Sequence, residues 1–127
     1  MKSVETDRAP MPRGHYAQAI VHRGVVYVAG QLPIDPAHPE RPPGDIRSQT
    51  EQVLDNLSAI LQAAGSDLGS LLQVTIYVTD LDLWGEVNAV YAARLGAHRP
   101  ARAVVPVAAL HRGFKVEIQA TAAVRSG

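Results

Sequence analysis

Residues 45–65 read DIRSQTEQVLDNLSAILQAAG, and this stretch decides the fold class. One stripe of residues recurs three and four positions apart, at Ile46, Thr50, Val53, Leu54, Leu57, Ile60, Leu61 and Ala64. That spacing is typical of an amphipathic helix. Asp45 is the expected N-cap, and Gly65 is the expected residue just beyond the last turn. The pattern therefore predicts one long helix that covers an apolar surface formed elsewhere in the chain.

Strands are predicted on the C-terminal side of this helix. Residues 73–79 and 114–124 alternate between apolar and polar side chains, as half-buried strands do. Residues 101–105 form another apolar run with the length of a strand. Between the first two of these strands in chain order, a second helix is expected to be capped by Asp82 and to stop at Gly96.

The segment before the long helix predicts a hairpin and a loop. Two apolar, β-branched runs, at residues 16–22 and 25–29, are separated by the turn signal Arg23-Gly24. Five of the nine prolines then fall within residues 33–43. Proline removes a backbone donor and restricts φ, so this density predicts an extended loop.

The predicted elements describe one domain over residues 1–127, in the order strand, strand, helix, strand, helix, strand, strand. Residues 1–14 are expected to form a partly flexible N-terminal segment. The order predicts an α+β fold in which a mixed sheet carries both helices on one face. The other face combines Thr75, Tyr77 and Gln119 with small residues. Such a face suits a sheet that meets other sheets in an assembly.

Composition narrows the function classes. Twelve basic residues balance twelve acidic ones, which makes nucleic acid a poor partner because phosphate backbones are bound by basic surfaces. The chain has no cysteine, and the five histidines show no metal-ligand spacing, so no metal site is predicted. The start MKSVETDRAP lacks the apolar core of a secretory signal, and no stretch is long enough for a membrane span. A cytoplasmic location is expected.

Two charged residues stand within apolar strand segments. Arg102 interrupts the run at residues 100–105, and Glu117 lies between Val116 and Ile118. A guanidinium keeps its charge when it is buried, so it needs an anionic partner. Two interpretations remain open at this point: the residues pair with each other within or between subunits, or they form a site for an anionic ligand.

The segment that contains both residues resembles a known family. PARAVVPVAALHRGFKVEI, at residues 100–118, is similar to the C-terminal signature of the Rid family of reactive-intermediate deaminases, also called the YjgF family. GHYAQAI at residues 14–20 resembles the family's GPYSQA start, and VAGQLPIDP at residues 28–36 resembles its SGQxPxDP loop. With the helix segments included, the resemblance runs from about His15 to Val124.

The resemblance implies a fold, an assembly and an activity. The fold is chorismate-mutase-like, and the members are homotrimers with active sites in the clefts between subunits. The implied reaction is hydrolysis of reactive 2-imino acids and related enamines to 2-keto acids and ammonia. The implied reaction needs no cofactor and no metal. The implied partners are small-molecule imino acids and further copies of the chain, and no association with a membrane is expected.

The resemblance also implies roles for individual residues. Arg102 matches the carboxylate-binding arginine, and Glu117 matches the glutamate that holds a water molecule and accepts its proton. Tyr16 matches a tyrosine that lines the cleft and donates a hydrogen bond. Main-chain groups around Gly30 are expected to contact the substrate near its nitrogen. Asn88 matches a helix asparagine, for which a structural role at the helix–loop junction is favoured over substrate contact.

Three positions depart from the family pattern. Ala29 stands where many deaminating members have serine, which removes a hydroxyl that contacts the substrate. Val104 stands where cysteine is frequent, which makes the cleft more apolar. His15 stands in place of the usual proline, as a spare donor or as a surface residue. These departures suggest a deaminase whose substrate is larger or more apolar than 2-iminopropionate.

Two alternatives to deamination remain. The first is a non-catalytic trimer that binds small metabolites or a partner protein and uses Arg102 only as an anion site; the loss of the serine hydroxyl at Ala29 supports it. The second is the endoribonuclease activity attributed to some family members. The neutral charge and the count of six aromatic residues argue against it, because single-stranded RNA is bound by basic grooves with stacking platforms.

Overall fold

The computed structural model describes residues 1–125. Its strands and helices are β1 (Lys2–Val4), β2 (Ala19–His22), β3 (Val25–Gln31), α1 (Ile46–Ala63), β4 (Leu71–Val78), α2 (Trp84–Leu95), β5 (Ala101–Pro106) and β6 (Val116–Ala123). Three single 3₁₀ turns connect some of these elements. The predicted α+β class and the predicted chain order are confirmed, with one additional strand at the N-terminus.

The six strands form one mixed sheet in the order β1-β2-β3-β6-β4-β5. The β4–β5 pair is parallel, and all the other neighbours are antiparallel. A parallel pair needs a crossover, and α2 supplies it between β4 and β5. The strands β1 and β5 therefore form the two edges of the sheet.

The long helix α1 forms as the sequence predicts. The Asp45 carboxylate accepts a hydrogen bond from the Ser48 backbone N–H at 2.8 Å, and Gly65 takes a positive φ of 80° beyond the last turn. Leu54, Leu57 and Ile60 are fully buried, so the apolar stripe faces the core. The helix packs on the central strands β3 and β6 and against α2.

The two faces of the sheet differ as expected. Val74, Ile76 and Val78 of β4 are fully buried under the helices, together with Val116 and Ile118 of β6. The intervening side chains form the opposite surface, which we call the open face; it carries Tyr27, Thr75, Tyr77, Glu117 and Gln119. The Tyr77 hydroxyl donates a hydrogen bond to the Gln119 side-chain oxygen at 2.9 Å, which orders two residues of this face.

The start of α2 differs from its prediction. The helix begins at Trp84, after a 3₁₀ turn at Leu81–Leu83, so Asp82 is not its cap. The carboxylate that caps is Asp80, which accepts a hydrogen bond from the Asp82 backbone N–H at 2.8 Å. The extra turn, which the sequence pattern did not predict, places the capping aspartate two residues earlier. The helix stops at Gly96, as predicted.

The additional strand β1 lies within the N-terminal segment. It pairs with β2, and a buried side chain, Gln18, fixes the loop that follows it. The Gln18 amide accepts a hydrogen bond from the Thr6 N–H at 2.7 Å and donates to the Pro10 carbonyl at 2.9 Å. A three-residue edge strand has too few positions to show a period, so the sequence pattern missed it.

Candidate active site

A cavity of about 990 Å³ opens beside β3 and β6. Four residues assigned from the sequence line it, namely Tyr16, Ala29, Gly30 and Glu117. Its remaining walls come from the N-terminal loop at residues 7–13, the proline-rich loop at residues 32–39 and the turn at residues 109–112. The cavity therefore gathers segments that are far apart in sequence, and its lining carries two carboxylates, Asp7 and Glu117.

Asn56 holds the proline-rich wall in place. Its side chain is fully buried on α1, and its amide donates hydrogen bonds to the carbonyls of Leu32 at 3.0 Å and Ile34 at 2.9 Å. These bonds satisfy backbone groups that a proline-rich loop cannot pair in a ladder. The sequence analysis missed this role, because a polar residue inside an apolar helical stripe was its only signal.

A β-bulge at Ala29 and Gly30 brings Gly30 against Glu117. Val28 pairs with Ala120 and Gln31 with Ile118, so two residues of β3 face one residue of β6. A Cβ atom on Gly30 would lie 2.5 Å from the nearer Glu117 carboxylate oxygen. Glycine at this position lets the backbone approach the carboxylate closely, and bulges often re-aim groups in this way beside active sites.

Replacing Gly30 with alanine is expected to displace the Glu117 carboxylate and to lower activity, with little change in melting temperature. The clashing atom is the far end of a flexible side chain, which can rotate away at low cost. We expect a loss of kcat of about tenfold or more, since small misplacements of a catalytic group are costly. Steady-state kinetics with a thermal melt would test this, with Gly85→Ala as the control because a Cβ atom there meets open space. A variant with full activity would contradict the close approach.

Burial perturbs the Glu117 carboxyl. Desolvation raises the pKa of Glu117 above its ordinary value, and the nearby charge of His111 acts in the opposite direction as the smaller effect. A half-buried carboxyl with a raised pKa holds a proton more readily than one in water. That property suits a group that must accept a proton and release it again near neutral pH.

The raised pKa of Glu117 predicts a pH-dependent cost to stability. The unfolded chain loses this proton at lower pH than the folded chain does, so stability falls as pH rises from about 4.5 through the folded-state pKa. We expect Glu117→Gln to be more thermostable than the wild type at neutral pH, with the advantage shrinking as the pH falls through the folded-state pKa toward about 4.5. Thermal melts of both proteins from acidic to neutral pH measure the difference. An advantage that grows as the pH falls would contradict the assignment.

Arg102 lies in a separate place. It is on the edge strand β5 in register with Val74, whereas Glu117 is in register with Tyr77 on the other side of β4. Val74 faces the helices and Tyr77 faces the open side, so the two charged side chains project from opposite faces of the sheet. The interpretation in which Arg102 and Glu117 pair within one chain is wrong.

The surroundings of Arg102 come from α2. Its Nη1 donates a hydrogen bond to the Asn88 side-chain oxygen at 2.9 Å, and its guanidinium carbon lies 4.9 Å from the centre of the Trp84 ring. Tyr91 presents its ring at 5.2 Å on the same guanidinium. Within residues 1–125, Arg102 makes no ion pair with a carboxylate. Its charge therefore stays uncompensated in the single chain.

The assigned residues thus form two groups within one chain. Tyr16, Ala29, Gly30 and Glu117 share the cavity, while Asn88, Arg102 and Val104 lie at β5 and α2. Val104 projects from the same face of β5 as Arg102, in register with buried Ile76. Asn88 lies inside α2 and contacts Arg102, which differs from the expected role at a helix–loop junction.

The turn before β6 adds two charged or titratable residues to the cavity that were not singled out from the sequence. His111 and Arg112 lie in the turn before β6 and line the cavity, and Arg112 adopts a positive φ of 58°. The sequence analysis gave His111 no role, because nothing in its neighbours signals proximity to Glu117. His15 is exposed and does not line the cavity.

Residues 1–125 contain no cluster of three or more histidine, aspartate or glutamate side chains that could hold a metal ion. No helix in this range combines the length and the apolarity needed to cross a membrane.

Comparison with known proteins identifies the family. A family model described as endoribonuclease L-PSP matches residues 6–124. A RutC family protein of Pyrococcus horikoshii is 44% identical over 117 residues, which span 92% of this chain and 93% of the relative. The chain belongs to the Rid family. The resemblance noted in the sequence is confirmed, and it extends over nearly all of this Rid protein.

Two further relatives carry information about ligands. The rat 2-iminobutanoate/2-iminopropanoate deaminase is 37% identical to this Rid protein over 121 residues, covering 95% of this chain and 88% of the enzyme. The crystal structure of Escherichia coli TdcF with bound serine superposes with a TM-score of 0.92 at 37% identity, covering 99% of this chain and 100% of TdcF. The Rid family therefore includes imine deaminases and a member that holds a small amino acid.

Proposed function

We propose that this Rid protein hydrolyses 2-imino acids to 2-keto acids and ammonia. The observation that carries the proposal is that the chain presents an acid and a carboxylate-binding cation, Glu117 and Arg102, at the two positions that match the family's site residues. Glu117 is a half-buried carboxyl beside a cavity, and Arg102 is an uncompensated guanidinium on a sheet edge. Neither group suffices alone, and together they supply an anchor for a carboxylate and a base for a water molecule.

The chemistry follows from these two roles. Arg102 binds the substrate carboxylate through two parallel N–H···O bonds, which fixes the plane of the imino acid. Glu117 holds a water molecule against the imine carbon and takes one of its protons as the C–O bond forms. That proton passes to the imine nitrogen and gives a carbinolamine. Glu117 then moves the proton of the new hydroxyl to the same nitrogen, so that the C=O bond forms as the C–N bond breaks and ammonia leaves. Tyr16 lines the cavity, where its hydroxyl can donate a hydrogen bond to the substrate.

Because the two groups lie on opposite faces of one chain, we propose that two copies form each site. The open face exposes Tyr27 by 49%, and four of the five non-proline residues of the edge strand β5 are exposed. These surfaces would meet in a homotrimer, so that Arg102 of one copy approaches Glu117 of another. A monomer in light scattering at micromolar concentration would refute the shared site.

The cavity favours an imine with a substantial apolar side chain. Its wall includes Met11, Leu32, Ile34 and Leu110, and Ala29 contributes a methyl group where many deaminating members have a hydroxyl. Apolar surface rewards each additional methylene of a substrate that it buries. We therefore propose that the protein prefers 2-iminobutanoate or a branched imine to 2-iminopropionate.

A coupled assay tests the activity. An amino-acid oxidase generates imines from a panel of amino acids, semicarbazide traps the imine that survives, and the purified protein competes with the trap. Wild-type protein should divert imine to keto acid, and the ranking across the panel reports the side-chain preference. A wild type that is inert with every imine would refute the deaminase proposal and would leave ligand binding as the alternative.

The name of the matching family model favours one second candidate, endoribonuclease activity. It requires a basic, aromatic surface for RNA, whereas the chain is neutral and has six aromatic residues. A ribonuclease of this type would bind RNA with an affinity that falls as salt is added, and we expect this protein to show no such binding. We also propose a cytoplasmic location, as expected from the sequence.

A further inference from the structure

The guanidinium of Arg102 is surrounded by uncharged groups of one helix. Trp84, Asn88 and Tyr91 are four and three positions apart on α2, so they project from the same side of the helix toward β5. Two aromatic rings lie against the guanidinium, at 4.9 Å and 5.2 Å from its carbon, and the Asn88 oxygen accepts from Nη1 at 2.9 Å. We call these three residues the neutral cradle.

We propose that the neutral cradle positions Arg102 and keeps its full charge available for a substrate carboxylate. The inference rests on the proposed function, which makes Arg102 the carboxylate anchor. Trp84, Asn88 and Tyr91 are positioning residues, because they act through Arg102. They determine the affinity for anionic substrates without taking part in the bond changes.

The absence of charge on the three residues that contact Arg102 is what the inference depends on. An arginine on an exposed strand has many rotamers, and ordering it on binding costs conformational entropy. Aromatic faces and an amide oxygen can hold a guanidinium through its charge without neutralising it. An aspartate or glutamate in the same place would order it equally well but would compete with the substrate carboxylate. Only neutral partners can therefore both order the Arg102 guanidinium and leave its charge free for the substrate carboxylate.

Tyr91 shows that its ring, more than its hydroxyl, serves the cradle. The side chain is 5% exposed, and within residues 1–125 its buried hydroxyl has no hydrogen-bond partner. Desolvation raises the pKa of Tyr91, with Arg102 acting in the opposite direction, so the phenol stays uncharged at neutral pH. Because the guanidinium carbon lies 5.2 Å from the centre of its ring, Tyr91 is expected to act mainly through the face of that ring, as phenylalanine would.

Asn88→Asp is the decisive variant, because it changes one amide to a carboxylate of the same shape at 2.9 Å from Arg102. It should raise KM for 2-imino acids about tenfold or more and leave kcat within about twofold, since the new ion pair competes only with substrate binding. Ala89→Asp is the matched control, because it adds the same charge to the exposed side of α2. The control should leave KM unchanged.

The rings are tested by pairs of variants. KM should rise when either ring is lost, in Tyr91→Leu and in Trp84→Leu. It should stay near the wild-type value when a ring is kept, in Tyr91→Phe and in Trp84→Phe. If the two rings only stabilise the fold, the variants should differ in melting temperature without a matching change in KM. These variants decide the inference even if Asn88→Asp fails to fold.

Calorimetry with 2-oxobutanoate separates this inference from the proposed function. If the wild type binds this keto acid but deaminates no imine, the deaminase proposal fails and the dissociation constants still test the cradle. If Asn88→Asp binds 2-oxobutanoate as tightly as the wild type, the cradle is refuted while the deaminase proposal stands. A wild type that binds no 2-oxobutanoate and hydrolyses no imine overturns both.

Discussion

Replacing Glu117 with glutamine is expected to lower kcat for imine hydrolysis by about 10²–10⁴-fold, the usual contribution of a general base. Glutamine has nearly the same shape and can still contact a water molecule, but it cannot accept the proton that must leave as water attacks. Binding of the substrate carboxylate depends on Arg102, so KM should change little. Single-turnover and steady-state kinetics on the purified variant measure both quantities.

Glu86→Gln is the matched control, because it removes an exposed carboxylate from α2. It should keep wild-type kcat. The Glu117→Gln protein should also melt at or above the wild-type temperature at neutral pH, because it removes a half-buried acid whose pKa is raised by desolvation. An inactive protein that is also unstable would indicate misfolding, and a fully active one would remove Glu117 from the mechanism.

Replacing Arg102 with alanine is expected to lower kcat/KM by about 10²–10³-fold. The loss corresponds to a pair of charge-assisted hydrogen bonds to the substrate carboxylate, each of which is worth about 1.5–3 kcal/mol, less the part that water replaces. Most of the change should appear in KM, with a smaller loss in kcat from poorer orientation. The coupled imine assay at several substrate concentrations separates the two parameters.

Arg102→Lys tests the geometry of this contact. Lysine keeps the charge but lacks the planar pair of donors, so it should recover only part of the activity. Arg99→Ala, which removes an exposed positive charge three residues earlier, is the control and should behave like the wild type. Equal kinetics for Arg102→Ala and Arg99→Ala would mean that general positive potential, and no specific anchor, supports activity.

Local patterns predicted much of the fold. The α1 stripe, its Asp45 cap and the Gly65 stop are all read from neighbouring residues, and the structure contains each of them. The strand β1 has only three residues, and its loop depends on Gln18 contacts across eight to twelve positions. Interactions over such distances leave no periodic trace in a sequence.

The candidate site was harder to assemble than the fold. The family resemblance identified Arg102 and Glu117, but it did not show that they project from opposite faces of the sheet. The run at residues 101–105 has no alternation of apolar and polar residues from which a face could be assigned, and every residue of β5 except Val104 is exposed. The face of Arg102 follows only from its register with Val74.

The same limit applies to the surroundings of these residues. The helical spacing of Trp84, Asn88 and Tyr91 is visible in the sequence, but the residue they hold lies on the next strand. His111 reaches Glu117 only because a turn brings it to the cavity. Sequence patterns predict which side chains share a face, and tertiary structure decides which faces meet.

The central claim is that Arg102 of one copy and Glu117 of another form each site. The most direct test of this claim is to mix two kinds of inactive subunit. Arg102→Ala and Glu117→Ala proteins are purified separately, dissociated, combined in equal amounts and reassembled, with two affinity tags to confirm mixed oligomers. Half of the subunits then supply Arg102 and half supply Glu117, so about one quarter of the sites regain both groups. We predict that activity returns to about a quarter of the wild-type value, from near zero in either parent. Mixed oligomers that stay as inactive as their parents would contradict the shared site.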